Sequence, residues 1–322
     1  MDRMEKRRLK SRWWYCVRFL VGVILFTASL VASYSWSFSF IVCGDSRSNN
    51  HPAPVAEKYG ILINKINASG VKFVVHTGDF YIGAPSRDEA MRQANIFTLI
   101  NRTLTIPFYP VMGNHEAQGE GWAVCKEVLF NGATTYYSFS YENSYFIILD
   151  AHQPKNEYKF SEEQAQWLTE KIKEYRKGKY KHLFVFAHPP IFPLSHVGNS
   201  LDKYSDVQDW LCKTLSTAGA DVYFCGHDHL YSRMYYKGVF QVISGGAGAP
   251  LYKPREKEAL EYSWERVKYF KVEAVEHWVK VSVTDDKVEC VVYDLADRII
   301  DEFSIVKKKE GIEVILEEDR KK

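Results

Sequence analysis

The sequence predicts an α/β protein in which two β-sheets pack face to face, with helices on their outer sides. In the first half of the chain, apolar and β-branched runs alternate with helical patterns. The end of the chain is almost entirely strand and turn. Sheets that bury one face against each other and the other against helices are the solution that this order favours.

The composition is that of one large globular domain, or at most two modest ones. Of the 322 residues, 46% are hydrophobic and 25% are charged. The chain contains 21 Tyr, 19 Phe and 8 Trp, which is enough for a large core. This composition excludes a disordered or fibrous protein, and no repeat or low-complexity tract divides the chain.

The predicted strands are short runs of β-branched and aromatic residues, and the predicted helices are longer segments with a 3.6-residue apolar period. We predict strands at 38–43, 71–76, 108–112, 136–141, 145–150, 183–187, 222–225 and 239–243. We predict helices at 55–67, 87–102, 121–130, 161–177 and 206–217.

Local signals support two of these elements. Ser161 and Gln164 form a capping box at the start of the fourth helix, and Gly178 ends it. The strands at 136–141 and 145–150 form a predicted hairpin that turns at 142–144. A strand-rich segment at 269–305 follows, with a hairpin loop at 284–287, and the charge-rich tail at 307–322 is predicted to be frayed. The folded domain is therefore predicted to span 37–306.

The first 33 residues are typical of an export signal. They contain seven basic and two acidic side chains, and an apolar run from 19 to 32 follows the basic region. This run is short for a membrane span, which needs about 20 apolar residues. Residues 1–33 are therefore predicted to be either a cleaved signal peptide or a signal anchor in the membrane. Both alternatives place the domain outside the cytoplasm.

Charge and cysteine content restrict the remaining classes. The chain carries a net +2, of which the leader carries +5, so about −3 is left for the folded part. The folded part is therefore not expected to bind nucleic acid. Five of the six cysteines lie beyond the leader and none forms a CxxC pair, which excludes a zinc ribbon. Cys43 and Cys225 are predicted to be buried strand residues rather than a disulfide.

Five short segments share one feature: a predicted strand ends, and residue types that bind metal ions follow at once. Loops after strands are where layered α/β folds build their sites. The segments are Cys43-Gly44-Asp45-Ser46-Arg47, Gly78-Asp79-Phe80-Tyr81, Gly113-Asn114-His115-Glu116, Ala187-His188-Pro189-Pro190 and Gly226-His227-Asp228-His229.

The residue types in these segments suit a divalent metal. Carboxylate, amide oxygen and imidazole favour Mn, Fe, Zn or similar ions. His227 and His229, two residues apart on a strand, would point to the same side. Asn114 and His115 at a strand end have little packing value, so this pair is a stronger signal. The five segments in this order are together far more specific than any one of them.

With these segments, the sequence resembles the calcineurin-like metallophosphoesterase family and its exported bacterial members. The resemblance covers about 38–305 and includes the glycine-rich Gly245-Gly246-Ala247-Gly248-Ala249-Pro250. It implies a four-layer α/β/β/α sandwich with a two-metal centre at one edge. It also implies hydrolysis of a small phosphate mono- or diester by a water that the metal activates.

The resemblance assigns a role to each site residue. Asp45 and His229 would bind the first ion, and Asp79 would bridge both ions. The second ion would be bound by Asn114, His188 and His227. His115 would contact the phosphate and protonate the leaving oxygen.

The sequence departs from the family pattern at Arg47, where the family usually has a histidine ligand. A guanidinium has no lone pair to give, so the first metal position lacks one expected ligand. That position would bind its ion more weakly, use a water molecule or stay empty. Arg47 would either contact the substrate phosphate or form a salt bridge to a nearby acid.

The second departure follows Asp79. Protein-phosphatase members carry Gly-Asp-x-x-Asp-Arg there, whereas this chain has Gly-Asp-Phe-Tyr-Ile-Gly, which argues against a protein phosphatase. Purple acid phosphatases place a tyrosine ligand three residues after this aspartate. Tyr81 lies two residues after it, so we predict a pocket-wall or core aromatic.

Three further predictions concern the surroundings and the function. Asp228 should point away from the metal, with a supporting role as the alternative. His196 is predicted to be exposed to solvent, and lining the pocket is the alternative. The competing function is a non-catalytic metal- or phosphate-binding module on the same scaffold.

Overall fold

A computed structural model describes residues 37–255, 267–308 and 311–316 of the chain, so the predicted leader at 1–33 lies outside it. The described residues form sixteen strands and five α-helices. The strands are β1 (Phe38–Cys43), β2 (Arg47–Asn50), β3 (Ala53–Val55), β4 (Val74–His76), β5 (Phe108–Pro110), β6 (Tyr137–Tyr141), β7 (Ser144–Ile148), β8 (His182–Phe186), β9 (Val222–Cys225), β10 (Tyr231–Tyr236), β11 (Val239–Ser244), β12 (Lys268–Glu273), β13 (His277–Val283), β14 (Lys287–Asp294), β15 (Ile299–Lys308) and β16 (Gly311–Leu316). The helices are α1 (Glu57–Ala68), α2 (Arg87–Asn101), α3 (Gly121–Leu129), α4 (Glu162–Lys177) and α5 (Ser205–Ala218).

Two seven-stranded sheets contain all of these strands except the small β2–β3 hairpin. The strand order is β16-β15-β14-β13-β1-β4-β5 in the first sheet and β12-β10-β11-β9-β8-β7-β6 in the second. Strands β1, β4 and β5 are parallel, and so are β7, β8, β9 and β11. Parallel strands end at the same edge of a sheet, so the loops after them meet there.

The two sheets pack on each other through alternate residues of their strands. Phe40 of β1 and Phe184 of β8 come from different sheets, and their ring centroids are 5.3 Å apart. Phe146 of β7 packs beside Phe184 at 5.2 Å. All three belong to one buried cluster that both sheets share. This inner layer holds the sheets together by hydrophobic burial.

Helices cover the outer face of each sheet. Ile41, which follows Phe40 on β1, faces the other way and packs with Leu62 of α1 and Phe97 of α2. Val185 of β8 packs in the same way with Leu168 of α4. The architecture is therefore α/β/β/α, as predicted. Successive residues of each strand point to opposite faces of the sheet, so one set packs between the sheets and the other packs against the helices.

The predicted boundaries of helix α4 and of the β6–β7 hairpin are confirmed to within two residues. The predicted capping box is incomplete, because the side chain of Gln164 bonds to the backbone of Asp150 and not to that of Ser161. The Ser161 hydroxyl accepts a hydrogen bond from the backbone N–H of Gln164 at 3.2 Å, and Gly178 is the C-terminal cap of α4. Strands β6 and β7 pair antiparallel, and Tyr141 lies opposite Ser144 across the turn. Glu142 makes this turn with a φ of 50°. The five cysteines beyond the leader are buried free thiols.

The structure differs from the prediction at the C-terminal end. Residues 311–316 form β16, which pairs antiparallel with β15, instead of a frayed tail. Ile312, Val314 and Leu316 alternate along this segment, which is the period of a strand. The lysine and glutamate residues around it concealed that pattern.

Two further differences lie near the site. Helix α1 begins at Glu57, two residues later than predicted, because Ala53–Val55 pairs with β2 as strand β3. The pair His227 and His229 lies in a loop after β9 and not on a strand. None of the helices in the described ranges has both the length and the apolar character that a membrane span requires.

Candidate metal centre

The six predicted metal ligands lie on loops at the carboxyl ends of parallel strands. Three come from the first sheet and three from the second, so the site lies where the edges of the two sheets meet. They are Asp45 after β1, Asp79 after β4, Asn114 after β5, His188 after β8, and His227 and His229 after β9.

Three of these residues have a strained backbone. Asp45, Asp79 and His227 have φ angles of 62°, 55° and 69°. Residues other than glycine adopt this left-handed region at a cost of about 1–3 kcal/mol, and they cluster at functional sites. For His227, this conformation replaces the strand geometry that we predicted and turns its side chain into the site.

Glycines allow two of the ligand loops to approach each other. Gly78 has a φ of 101°, and a Cβ atom there would lie 2.9 Å from the Cα of Gly113. A Cβ on Gly113 would lie 2.3 Å from the backbone nitrogen of Asp79. Any larger residue at either position would push Asp79 away from Asn114.

Four atoms that could bind a metal ion lie close together on one side of the site. The Nε2 atom of His188 lies 3.3 Å from Oδ1 of Asp79 and 3.0 Å from Oδ1 of Asn114. The same Asn114 oxygen lies 2.9 Å from Nδ1 of His227. The ligand atoms of Asp45, Asp79 and His188 also lie within 4.8 Å of one another, so these three could hold a metal ion.

Backbone carbonyls fix which imidazole nitrogens face the site. Nδ1 of His188 lies 2.7 Å from the oxygen of Thr77, and Nε2 of His227 lies 3.0 Å from the oxygen of Asn199. A carbonyl can only accept, so these nitrogens carry the hydrogen. In the neutral rings, the lone pairs of the other nitrogens therefore face the oxygens of Asp79 and Asn114. Such outer hydrogen bonds are typical of metal-binding histidines.

The other side of the site has fewer atoms that could bind a metal ion. Nε2 of His229 lies 3.4 Å from Oδ1 of Asp45, and Nδ1 of His229 donates to the oxygen of Pro250 at 2.7 Å. Both carboxylate oxygens of Asp45 accept the backbone N–H of His227 at 3.1 Å. Asp45 therefore joins the loop after β1 to the loop after β9.

The electrostatics of Asp79 and His188 favour a cation between them. Burial alone would raise the pKa of Asp79, but His188, His115 and Arg47 outweigh it and hold that pKa well below its usual range. Burial alone would lower the pKa of His188, but Asp79 and Asp45 raise it to about 9. A proton therefore lies between the facing atoms of His188 and Asp79. A divalent metal ion would take the place of that proton. The donor set fits such an ion.

Arg47 lies against the carboxylate of Asp79, the residue that two metal ions would share. Its Nε is 3.7 Å from Oδ2 of Asp79, and its Nη2 donates to the hydroxyl of Tyr252 at 3.0 Å. Of the two roles predicted for Arg47, the salt bridge is the one present in the structure. Its contact with a substrate phosphate stays a prediction.

His115 lies at the open side of the centre. Its Nδ1 hydrogen-bonds to the backbone oxygen of Ile82, and its Nε2 lies 3.8 Å from Oδ2 of Asp79. The side chain is 22% exposed, so a ligand in the site can reach it. Burial lowers the pKa of His115, against the raising effect of Asp79.

Glu116 supports the site and was missed in the sequence. Its buried carboxylate accepts the backbone N–H groups of Asp79, Phe80 and Gly113 at 2.8 to 3.1 Å. Burial and the nearby charge of Asp79 raise the pKa of Glu116 to about 8. Glu116 thus joins the loops after β4 and β5. The sequence shows Glu116 in the segment Gly-Asn-His-Glu, but it does not show that the side chain points into the protein.

Asp228 and His196 form a second support. The Asp228 carboxylate points away from the metal ligands and accepts the N–H groups of Ser195 and His196 at 2.9 and 3.0 Å. It also contacts Nδ1 of His196 at 2.8 Å. The His196 ring lies 4.1 Å from that of His227, so His196 lines the site, contrary to the predicted solvent exposure. Asp228 has the supporting role that was the alternative.

A polar cleft of about 490 Å³ opens beside Asn114. Gln118, Lys155 and Lys159 lie in its wall. His152 also lines it; this residue is 4% exposed, and its Nε2 has no hydrogen-bonding partner among the described residues. Its position after β7 gave no sequence signal. Tyr81 is fully buried in the core beside α2, as predicted.

Comparison with known proteins agrees with this geometry. A model of the calcineurin-like phosphoesterase family matches residues 38–231. No curated protein matches the sequence.

Solved structures share the fold at low sequence identity. A purple acid phosphatase from yellow lupin (Lupinus luteus) seeds has a TM-score of 0.69 and 16% identity over 86% of this chain. The chain spans about half of that protein, since 55% of it is covered. A dimetal phosphatase from Danio rerio has a TM-score of 0.61 and 14% identity, over 84% of this chain and 99% of its own. The Plasmodium protein GAP50, an anchor in the inner membrane complex, has a TM-score of 0.58 and 13% identity, over 85% and 90%.

Proposed function

Because the chain belongs to the calcineurin-like phosphoesterase family, we propose that it is a metal-dependent enzyme that hydrolyses phosphate mono- or diesters. The observation that carries the proposal is a row of close contacts that runs from Asp79 through His188 and Asn114 to His227, in which neighbouring ligand atoms lie 2.9 to 3.3 Å apart. Buried polar atoms aimed at one another in this way serve no packing purpose.

The metal would supply two things to the reaction: an activated water and neutralisation of charge on the phosphate. The protein supplies orientation. The carbonyls of Thr77 and Asn199 fix His188 and His227, and Glu116 fixes the backbone that carries Asp79. A preorganised site of this kind needs little rearrangement during the reaction.

His115 is the proposed proton donor. Its Nδ1 is engaged with Ile82, so Nε2 is the nitrogen available to a ligand, and it faces Asp79. A leaving alkoxide needs a proton, and an imidazolium within hydrogen-bond reach can give it. Burial lowers the pKa of His115, and the negative charge of a bound phosphate would favour the protonated form.

The cleft beside Asn114 would take the alcohol part of the ester. Its wall contains Gln118, Lys155 and Lys159, and few apolar side chains. This lining suits a small polar alcohol better than a lipid chain. The leader at 1–33 supports action outside the cytoplasm, in a secreted or membrane-anchored form.

The test is hydrolysis of glycerol 2-phosphate and glycerophosphocholine, whose alkoxide leaving groups need a proton, by the wild type and by His115→Ala. Loss of general acid catalysis lowers kcat by about 10²–10⁴-fold. The matched control is His51→Ala, an exposed histidine on the β2–β3 turn, which should keep its activity. Metal bound without hydrolysis of any ester would favour the non-catalytic binding module instead.

A further inference from the structure

We propose that the two metal positions are unequal, and that Arg47 makes the position beside Asp45 and His229 the weak one. The protein would hold one ion firmly and exchange the other. This inference rests on the proposed function, because it divides the metal centre of that function into a permanent part and a transient part.

The firm position is the one around Asn114. One carboxylate oxygen, one amide oxygen and two imidazole nitrogens lie next to one another there at 2.9 to 3.3 Å, in the order Asp79, His188, Asn114 and His227. Both imidazoles are locked by hydrogen bonds to backbone carbonyls. Asp79, His188 and His227 are at most 3% exposed. A complete and rigid donor set of this kind binds tightly.

The weak position has an incomplete donor set. Asp45 and His229 face each other there at 3.4 Å, and ligand atoms of Asp79 and His188, which the firm position also uses, lie within 4.8 Å of Asp45. Ser46 follows Asp45, and its hydroxyl is hydrogen-bonded to the backbone oxygen of Phe80 and to His76. Arg47 comes next, as the first residue of β2, and its guanidinium has no lone pair for a metal. Tyr81 cannot replace it, because its side chain is fully buried in the core that packs against α2.

Contacts on several sides hold Arg47 in place. Its backbone N–H donates to the oxygen of Asp79 at 3.1 Å. Its guanidinium donates to the Tyr252 hydroxyl at 3.0 Å and to the oxygen of Ser48 at 3.3 Å. The ring of Tyr252 in turn stacks on that of His229, with centroids 4.2 Å apart and planes 12° apart. The side chain is 11% exposed, so it belongs to the wall of the weak position.

The charge of Arg47 acts on one side of Asp79. The guanidinium is permanently positive and lies 3.7 Å from Oδ2, whereas Oδ1 faces His188. A divalent ion close to Oδ2 would therefore meet a fixed like charge, whereas Oδ1 faces His188, whose imidazole can lose its proton and give a lone pair to a metal. With a missing ligand and this repulsion together, we expect affinity at least about 100-fold lower at the weak position.

The experiment counts bound ions and does not use activity. The stripped protein is titrated with Mn²⁺, and bound and free ions are followed by electron paramagnetic resonance. We expect one ion per chain to bind tightly with an isolated six-line signal, and a second to bind only at about 100-fold higher concentration. In Arg47→His, both ions should bind tightly and the spectrum should show coupling between two neighbouring Mn²⁺ ions.

Two further variants keep the test decisive if Arg47→His does not fold. His229→Ala should keep the tight ion, and Asn114→Ala should lose it. Two ions of equal affinity in the wild type would overturn the inference and leave the proposed function standing. Loss of the tight ion in His229→Ala but not in Asn114→Ala would also overturn it. No bound Mn²⁺ at any concentration would overturn the proposed function itself.

Discussion

At the scale of single residues, the site depends on backbone conformations that residues other than glycine rarely adopt. Asp45, Asp79 and His227 all lie in the left-handed region. Each costs about 1–3 kcal/mol, which the surrounding hydrogen bonds must offset. Asp45 accepts the N–H of His227, and Glu116 accepts the N–H of Asp79. The strained residues are thus bound to neighbouring loops instead of being free to relax.

We predict that Glu116→Ala destabilises the protein by about 3 kcal/mol, since three buried N–H groups of the loops after β4 and β5 lose their acceptor. The free energy of unfolding, measured with urea in the metal-free protein, checks this. The control is Glu120→Ala, an exposed acid four residues further along the chain. Equal stabilities of the two variants would show that Glu116 does not hold these loops together.

At the scale of elements, the loop between β8 and α5 is tied to the ligand-bearing loop after β9 through one side chain. Asp228, between the two histidines, accepts N–H groups from Ser195 and His196 in the other loop. Asp228 is completely buried. One carboxylate therefore joins the two loops and holds the His196 ring over the site.

We predict that Asp228→Ala increases amide hydrogen exchange at 194–199, because the N–H groups there lose their acceptor. KM for phosphate esters should rise as well, since His196 is no longer held over the site. Asp206→Ala, at an exposed position in the first turn of α5, is the control for both measurements. Unchanged exchange at 194–199 in Asp228→Ala would mean that other contacts hold the loop.

The elements that could be predicted were those with a strong period or a cap. Helix α4 has Ser161 as its N-cap and Gly178 as its C-cap, and its boundaries were found. Strand β2 was missed because all four of its residues are polar, and strand β10 because Ser232 and Arg233 interrupt its apolar pattern. Strand β16 was missed because lysine and glutamate residues flank it in the sequence. In each case tertiary pairing determines the strand, and local propensity does not reveal pairing.

At the scale of the whole molecule, the centre joins the two sheets. Asp45, Asp79 and Asn114 come from the first sheet, whereas His188, His227 and His229 come from the second. The sequence predicted all six together because each follows a strand. It did not place Glu116 or His152 at the site and gave His196 a place there only as the alternative, because loop direction depends on contacts between distant segments. An ion bound across the sheets should also stabilise the fold by mass action.

The central claim, a phosphoesterase that depends on a bound metal, is tested most directly by removing that metal. Wild-type protein is dialysed against a chelator, its metal content is measured by elemental analysis, and p-nitrophenyl phosphate hydrolysis is followed before and after reloading with Mn, Fe or Zn. We predict that hydrolysis disappears with the metal and returns with it. Hydrolysis that continues at the same rate in metal-free protein would contradict the account.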